Sequence, residues 1–190
     1  PEPSPPPPPT PLIPEPSHPP SPSSPSPPSP AIPSHGVLNV TLNKGWTWSS
    51  INMVPNDLSL DSVVSTIPVP TTGDLIKAAR SFARWDGTSW QNEGTMTSWE
   101  VEETHIIRMA TASYFTVSGT FQTQISVLSG WNWIAMAYPY SISIHDISHS
   151  VGFGIEDLLK SSSSFSKYYS NLGFAGSLEY LEPGEGYLLK

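Results

Sequence analysis

The sequence predicts a mainly β chain with short helices (an α+β fold). A polyproline II arm over residues 1–35 is followed by two duplicated small β-rich domains, over 36–120 and 121–190. Three observations predict this: proline is segregated at one end, a long sequence pattern recurs in the same order downstream, and apolar residues alternate in short runs. Of the 23 prolines in 190 residues, 18 lie in residues 1–33. Proline fixes φ and removes the amide donor, which excludes helix and central strand. Polyproline II, at ~3.1 Å per residue, is then the default, and the arm would reach on the order of 100 Å. Glu2, Glu15 and His18 interrupt it, and the apolar insertions Leu12-Ile13 and Ala31-Ile32 offer anchors.

The repeat sets the domain organisation. LNKGWTWSSINMVP (42–55) matches VLSGWNWIAMAYP (127–139), GDLIKAARSFARW (73–85) matches EDLLKSSSSFSKY (156–168), and GTMTSWEVEETHIIR (94–108) matches GSLEYLEPGEGYLLK (176–190). Three collinear matches predict a duplication. Each unit begins with an alternating strand, carrying Leu38, Val40 and Leu42 in the first copy and Ile125 and Val127 in the second. The strand runs into Gly-Trp-x-Trp, whose indoles share a face at strand spacing. A short helix follows: Leu60, Val63, Val64 and Ile67 form one stripe, and Ile144, Ile147 and Val151 repeat it. Asp-Leu-x-Lys comes next, then a hairpin at WDGTSW with Asp86-Gly87 as its turn. THIIRM or GYLLK closes the unit, the latter after the turn EPGEG (182–186). Between the units, YFTVSGTFQTQISVL supplies one or two more strands.

Composition narrows the function classes. Sixteen acids against eight bases give a net charge of −8, and charged residues are only 13% of the chain. The surface must therefore be covered by Ser, Thr, Asn and Gly, which suits a secreted protein bearing glycans. No basic patch is present to neutralise phosphates, so nucleic acid is not an expected partner. There is no cysteine, which removes disulfides and thiolate metal sites. No run of eighteen apolar residues predicts a membrane span. The chain opens in PEPSPP with neither an initiator Met nor a signal peptide, and is read as a mature or excised segment.

The pattern GW-x-W … D-L-x-K … F … G-x-L … PG-x-GY resembles a Trp-rich repeat of secreted bacterial and algal surface proteins, typically tandem and non-catalytic. The copy at 128–190 fits through SGWNWIAM, EDLLK and LEPGEGYLLK. The first copy departs from it: VEETH replaces the Pro-Gly turn and His105 replaces the Tyr. The arm, through SPSSPSPPSP and SPPPPPTP, is similar to hydroxyproline-rich glycoproteins of green-algal walls and matrix. That resemblance implies hydroxylation and O-linked sugars, with Pro5, Pro6, Pro7, Pro8, Pro9, Pro11, Pro22, Pro25, Pro27, Pro28 and Pro30 as candidates. Together the resemblances imply a structural extracellular glycoprotein, of which a fibril subunit is one form.

Several residues are candidates for chemistry. His145 and His149 have the H-x-x-x-H spacing of a metal pair, but Asp146 stands where a metalloprotease has Glu. Two histidines on the surface of a short helix is the simpler expectation. Glu100, Glu102 and Glu103, with Glu182 and Glu185, lie near strand starts; glycosidases need such pairs in a cleft, and acids in turns are usually solvated. Trp46, Trp48, Trp131 and Trp133 could stack on sugars, yet a small domain without disulfides needs buried indoles, so core or interface is expected. Trp85, Trp90 and Trp99 occur only in the first copy and are the better candidates for carbohydrate or partner contact. Asn39, in the sequon NVT, is a candidate N-glycosylation site. The expected protein is an extracellular, non-enzymatic subunit of a fibre, wall or matrix layer. It would use no cofactor and no metal, carry covalent glycans, and associate with copies of itself head to tail through the arm. The alternative is a carbohydrate-binding or adhesion module on a proline-rich stalk, with a hydrolase a distant third.

Overall fold

The computed structural model describes residues 34–122, 124–147 and 152–190, and of residues 91–94 only the main chain. The arm, up to Pro33, lies outside the described residues, with its proline candidates. The first half contains β1 (His35–Leu42), β2 (Gly45–Ser49), β3 (Met53–Val54), α1 (Leu60–Val64), β4 (Leu75–Lys77), β5 (Phe82–Trp85), β6 (Trp90–Gly94), β7 (His105–Met109) and β8 (Ser113–Phe121). The second half contains β9 (Asn132–Ile134), β10 (Ile142–Ser143), α2 (Ile144–Ile147), β11 (Leu158–Lys160), β12 (Phe165–Tyr169), β13 (Gly173–Gly176), β14 (Tyr180–Leu181) and β15 (Tyr187–Leu189). The protein is mainly β, with two helices of about one turn each among the described residues.

Two five-stranded antiparallel sheets organise the chain. One has the order β2-β7-β4-β5-β6 and the other β9-β15-β11-β12-β13, which is the same order in sequence terms. Their registers also agree. Trp48 faces Ile106 as Trp133 faces Leu188; Ile76 faces Ile107 as Leu159 faces Leu189; Leu75 faces Arg84 as Leu158 faces Lys167. The loop ahead of the third matched strand is built alike. Asp74 Oδ2 accepts the Thr71 N–H (2.7 Å) and Asp157 Oδ2 accepts the Gly154 N–H (2.7 Å). Gly73 and Glu156 hold the same left-handed position, at φ 93° and 77°. A short Asp side chain reaching back three residues accounts for the Asp of Asp-Leu-x-Lys in both halves.

One face of each sheet is dry. In β7 the buried residues are His105, Ile107 and Met109, while Ile106 and Arg108 point the other way. The first core joins Ile76, Ala83, Ile107 and Met109 to α1 (Leu60, Val63, Val64) and to β1 and β8 (Val40, Leu42, Phe115, Val117). The second joins Leu159, Phe174, Tyr187 and Leu189 to Ile134, Met136, Ile144 and Leu181. Each fully buried aliphatic side chain contributes roughly 1.5–3 kcal/mol.

Several expectations change in detail. His35 belongs to β1 rather than to the arm, because no proline stands between Pro33 and Pro55 and the segment pairs with Thr120–Ser113 along its full length. Phe121 completes β8 and packs on the first core, so that half runs one residue beyond 120. The α1 helix stops at Val64; Ile67 is buried in the following turn, ahead of Pro68, which disfavours helix in the residue before it. The hairpin between β5 and β6 closes through four residues, Asp86–Ser89, with Asp86 Oδ1 accepting the Thr88 and Ser89 amides and Gly87 at φ 111°. The largest difference concerns Ile125 and Val127. They lead into β9 as Val40 and Leu42 lead into β2, but 124–128 is not a strand, because among the described residues no counterpart of β8 lies beside it.

The halves are joined by main-chain bonds across their centre. Ser50 N–H donates to the Gly184 carbonyl (3.1 Å), and Ala135 N–H donates to the Glu102 carbonyl (2.9 Å). These bonds connect equivalent positions in opposite directions, as in a self-complementary interface. Thr104 Oγ1 accepts the Tyr187 N–H (2.7 Å) and donates to the Ile134 carbonyl (2.6 Å); Asn52 Nδ2 donates to the Tyr138 carbonyl (2.8 Å). The described residues accordingly fall within one compact unit.

Candidate functional site

The Gly-Trp-x-Trp segments place their indoles on the outer face of each sheet. Register decides this. Trp46 and Trp48 lie opposite Arg108 and Ile106, the side of β7 turned away from the core. Gly45 and Gly130, at φ 91° and 96°, supply the left-handed bend that brings the chain into the strand at each site. Trp46 is 51% exposed and Trp131 is 54% exposed, so of the core or interface expected for these residues the core is not where these two sit. Each lies under a cation: Arg108 is 6.0 Å from the Trp46 ring centroid and Lys190 is 5.9 Å from that of Trp131. Trp48 and Trp133 are half-buried, and Trp48 meets Lys160 of the other half at 5.9 Å.

Trp131 and Trp133 line a cleft of about 400 Å³ at the junction, with Arg80, Glu102, Glu103 and Asn132. Glu102 is fixed there, its Oε2 accepting the Ser126 N–H (2.9 Å). Asn132 donates from Nδ2 to the Leu128 and Gly130 carbonyls while Oδ1 accepts the Leu128 N–H. Indole faces beside a carboxylate and a guanidinium suit a polyhydroxylated ligand, whose C–H faces stack and whose hydroxyls hydrogen-bond. A polypeptide strand with polar edges has the same requirements.

Of the tryptophans found only in the first half, two are placed differently from expectation. Trp99 is 1% exposed, stacked on His105 with ring centroids 3.8 Å apart and tilted against Phe115 at 5.7 Å. Trp90 is buried, and the half-buried Trp85 meets it edge-on at 5.5 Å. Surface contact through Trp90 and Trp99 is therefore corrected to core packing; Trp85 keeps a partly open edge. The sequence carried a signal that was missed: basic Arg108 and Lys190 occupy matched positions in the closing strands and mark their outward faces, hence those of Trp46 and Trp131.

Other candidates separate. His145 is exposed on α2, while His149 lies outside the described residues. Among the described residues no group of three or more His, Asp and Glu could hold a metal ion. Glu182 Oε1 accepts the Ser141 hydroxyl (2.8 Å), and Glu185 lies beside the Tyr187 hydroxyl at 3.3 Å. Burial pushes the Tyr187 phenol well above its ordinary range; the Glu182 N–H that it accepts (2.6 Å) pulls the other way. His105 occupies the place of Tyr187 in the sheet of the first half, and burial pushes its imidazole down to about 3, partly opposed by the Glu103 backbone. Asn39 is exposed on β1, its Oδ1 accepting the Thr116 hydroxyl (2.8 Å). Among the described residues no helix is long and apolar enough to cross a membrane. No family model, no curated protein and no solved structure matches the chain.

Proposed function

We propose that this chain is a non-enzymatic structural module of an extracellular glycoprotein assembly, built from two copies of one β-rich unit that follow a proline-rich, polyproline II arm. The supporting observation is the apolar surface of the second copy. Leu128, Trp131, Ile155, Phe165, Leu172 and Tyr180 each leave more than half of the side chain in solvent. A charge-poor chain that exposes such residues has surface suited to association. In this reading the copies pack through that surface, the arm runs onto a neighbouring subunit, and sugars on Asn39 and on the Ser-Pro steps shield what stays exposed. Head-to-tail contacts of this kind yield open filaments when they do not close into rings.

Sedimentation of the intact, native protein over a range of concentrations tests the proposal. Growth into oligomers or fibres, weakened by Phe165→Glu or Leu172→Glu, is the expected result. A glycosylated monomer at every concentration would overturn it. The Trp131–Trp133 cleft favours a second reading, a carbohydrate-binding module on a stalk. Binding to immobilised polysaccharide that disappears in Trp131→Ala would establish that reading instead.

A further inference from the structure

The second core is open where the first is closed. A groove of about 230 Å³ runs over Ile134, Met136, Tyr138, Phe153, Leu181 and Leu189, with Ile125 and Val127 along its rim. At the matched place in the first half, β8 lies against β1, Val40 faces Phe115 and Leu38 faces Val117. Phe115 and Val117 are buried there, and the Phe115 ring packs on Trp99, the counterpart of Leu181. The groove thus has the position and the apolar lining of a β8 site, with no strand in it among the described residues.

The main chain at the rim is arranged for pairing on one side. Ser126 N–H is held by Glu102 and Leu128 N–H by Asn132, just as Asn43 N–H is held by Thr47 Oγ1 (2.9 Å) in the first half. Alternation along an extended segment turns the amides of Ile125 and Val127 to the opposite edge, the edge on which β1 receives β8. Val127 is 42% exposed and, among the described residues, pairs with no strand.

We infer that this groove is an acceptor for an extended strand of a partner polypeptide other than a copy of this chain, one with an alternating apolar face that includes an aromatic residue, as in Ser113–Phe121. The incoming strand runs antiparallel to 124–128 and sets its aromatic residue opposite Ile125, as Phe115 is set opposite Val40. Strand addition of this kind draws affinity from main-chain bonds and selects partners through pockets for alternate side chains. The inference rests on the paired architecture and not on fibre formation; a chain that never forms filaments would still bind.

The test adds a synthetic peptide, SYFTVSGTF flanked by lysines for solubility, to the full 190-residue chain, with calorimetry and amide hydrogen exchange as readouts. Saturable binding with slowed exchange at Ile125 and Val127 is expected. The affinity should fall at least tenfold for a peptide with Asp in place of its Phe115 and for the chain variant Val127→Asp, which alters a partly exposed side chain and leaves the fold intact. No protection at millimolar peptide, or binding unchanged by Val127→Asp, would overturn the inference. So would protection of Ile125 and Val127 that rises with chain concentration alone, since the occupant would then be a second copy.

Discussion

At the scale of single residues, the two halves show one position solved in two ways. Tyr187 ends in a hydroxyl that reaches the Glu182 amide and Glu185, whereas His105 is sealed under Trp99. A buried imidazole must stay neutral to avoid an uncompensated charge. Its proton affinity is held down to about 3, while the unfolded chain takes up the proton near 6.5. Between those values the unfolded state binds the extra proton, so stability is present above 6.5 and is lost as pH falls through the window. By linkage, moving from pH 7 to 4.5 costs ~2–3 kcal/mol from this residue. Urea unfolding of His105→Phe should show a shallower acid loss than the parent; an identical pH profile would refute the assignment. Asp74 is the second such residue. It is 1% exposed, and its two oxygens accept Thr71 N–H and Ala110 N–H, each at 2.7 Å. Asp74→Ala leaves both amides without an acceptor and should cost roughly 2–4 kcal/mol in denaturant unfolding, at about 1–2 kcal/mol for each group left unpaired. The tryptophans divide in the same assay. Trp99→Ala should cost about 3–5 kcal/mol, and Trp131→Ala should change stability by no more than about 0.5 kcal/mol.

At the scale of elements, the junction depends on small residues in narrow places. A Cβ on Gly186 would collide with the Thr104 side chain, whose hydroxyl bridges Tyr187 and Ile134. Gly186→Ala should therefore loosen the join between the sheets, and exchange at Tyr187 and Ala135 would report it before the outer strands respond. Thr104→Val keeps the shape and removes the bridge, at an expected cost of about 1–3 kcal/mol. The Gly-Trp-x-Trp strands, the WDGTSW hairpin and the closing strands were legible from alternation and turn residues, whereas the short β4 and β11 were read only as Asp-Leu-x-Lys. The helix stripe at Leu60, Val63 and Val64 was legible because periodicity is a local property. The outward turn of Trp46 and the burial of Trp99 were not, because which face of a strand is dry depends on its partners. Trp46 faces out through its register with Arg108, and Trp99 is enclosed by β7 and β8 residues brought from elsewhere in the chain.

At the scale of the whole molecule, the expectation is an extracellular assembly. Intact native material should exceed the 20.6 kDa polypeptide in mass, and part of the excess should disappear on enzymatic removal of N-linked sugar from Asn39. A mass equal to the bare chain would remove the glycoprotein reading. The sequence by itself determined that the chain is mainly β, and that one pattern, from Gly-Trp-x-Trp through Asp-Leu-x-Lys to the closing strand, occurs twice in order. These are consequences of short-range chemistry: alternation, turn residues, and an Asp that caps its own loop. Only the tertiary structure decided that the two sheets interlock through exchanged main-chain bonds, that the paired tryptophans face outward, and that β8 covers one core while the matched groove stands open. Those features depend on residues far apart in sequence meeting at hydrogen-bond distance, and Ile125 and Val127, so like Val40 and Leu42 in the sequence, remain outside any sheet because, among the described residues, no strand lies opposite them.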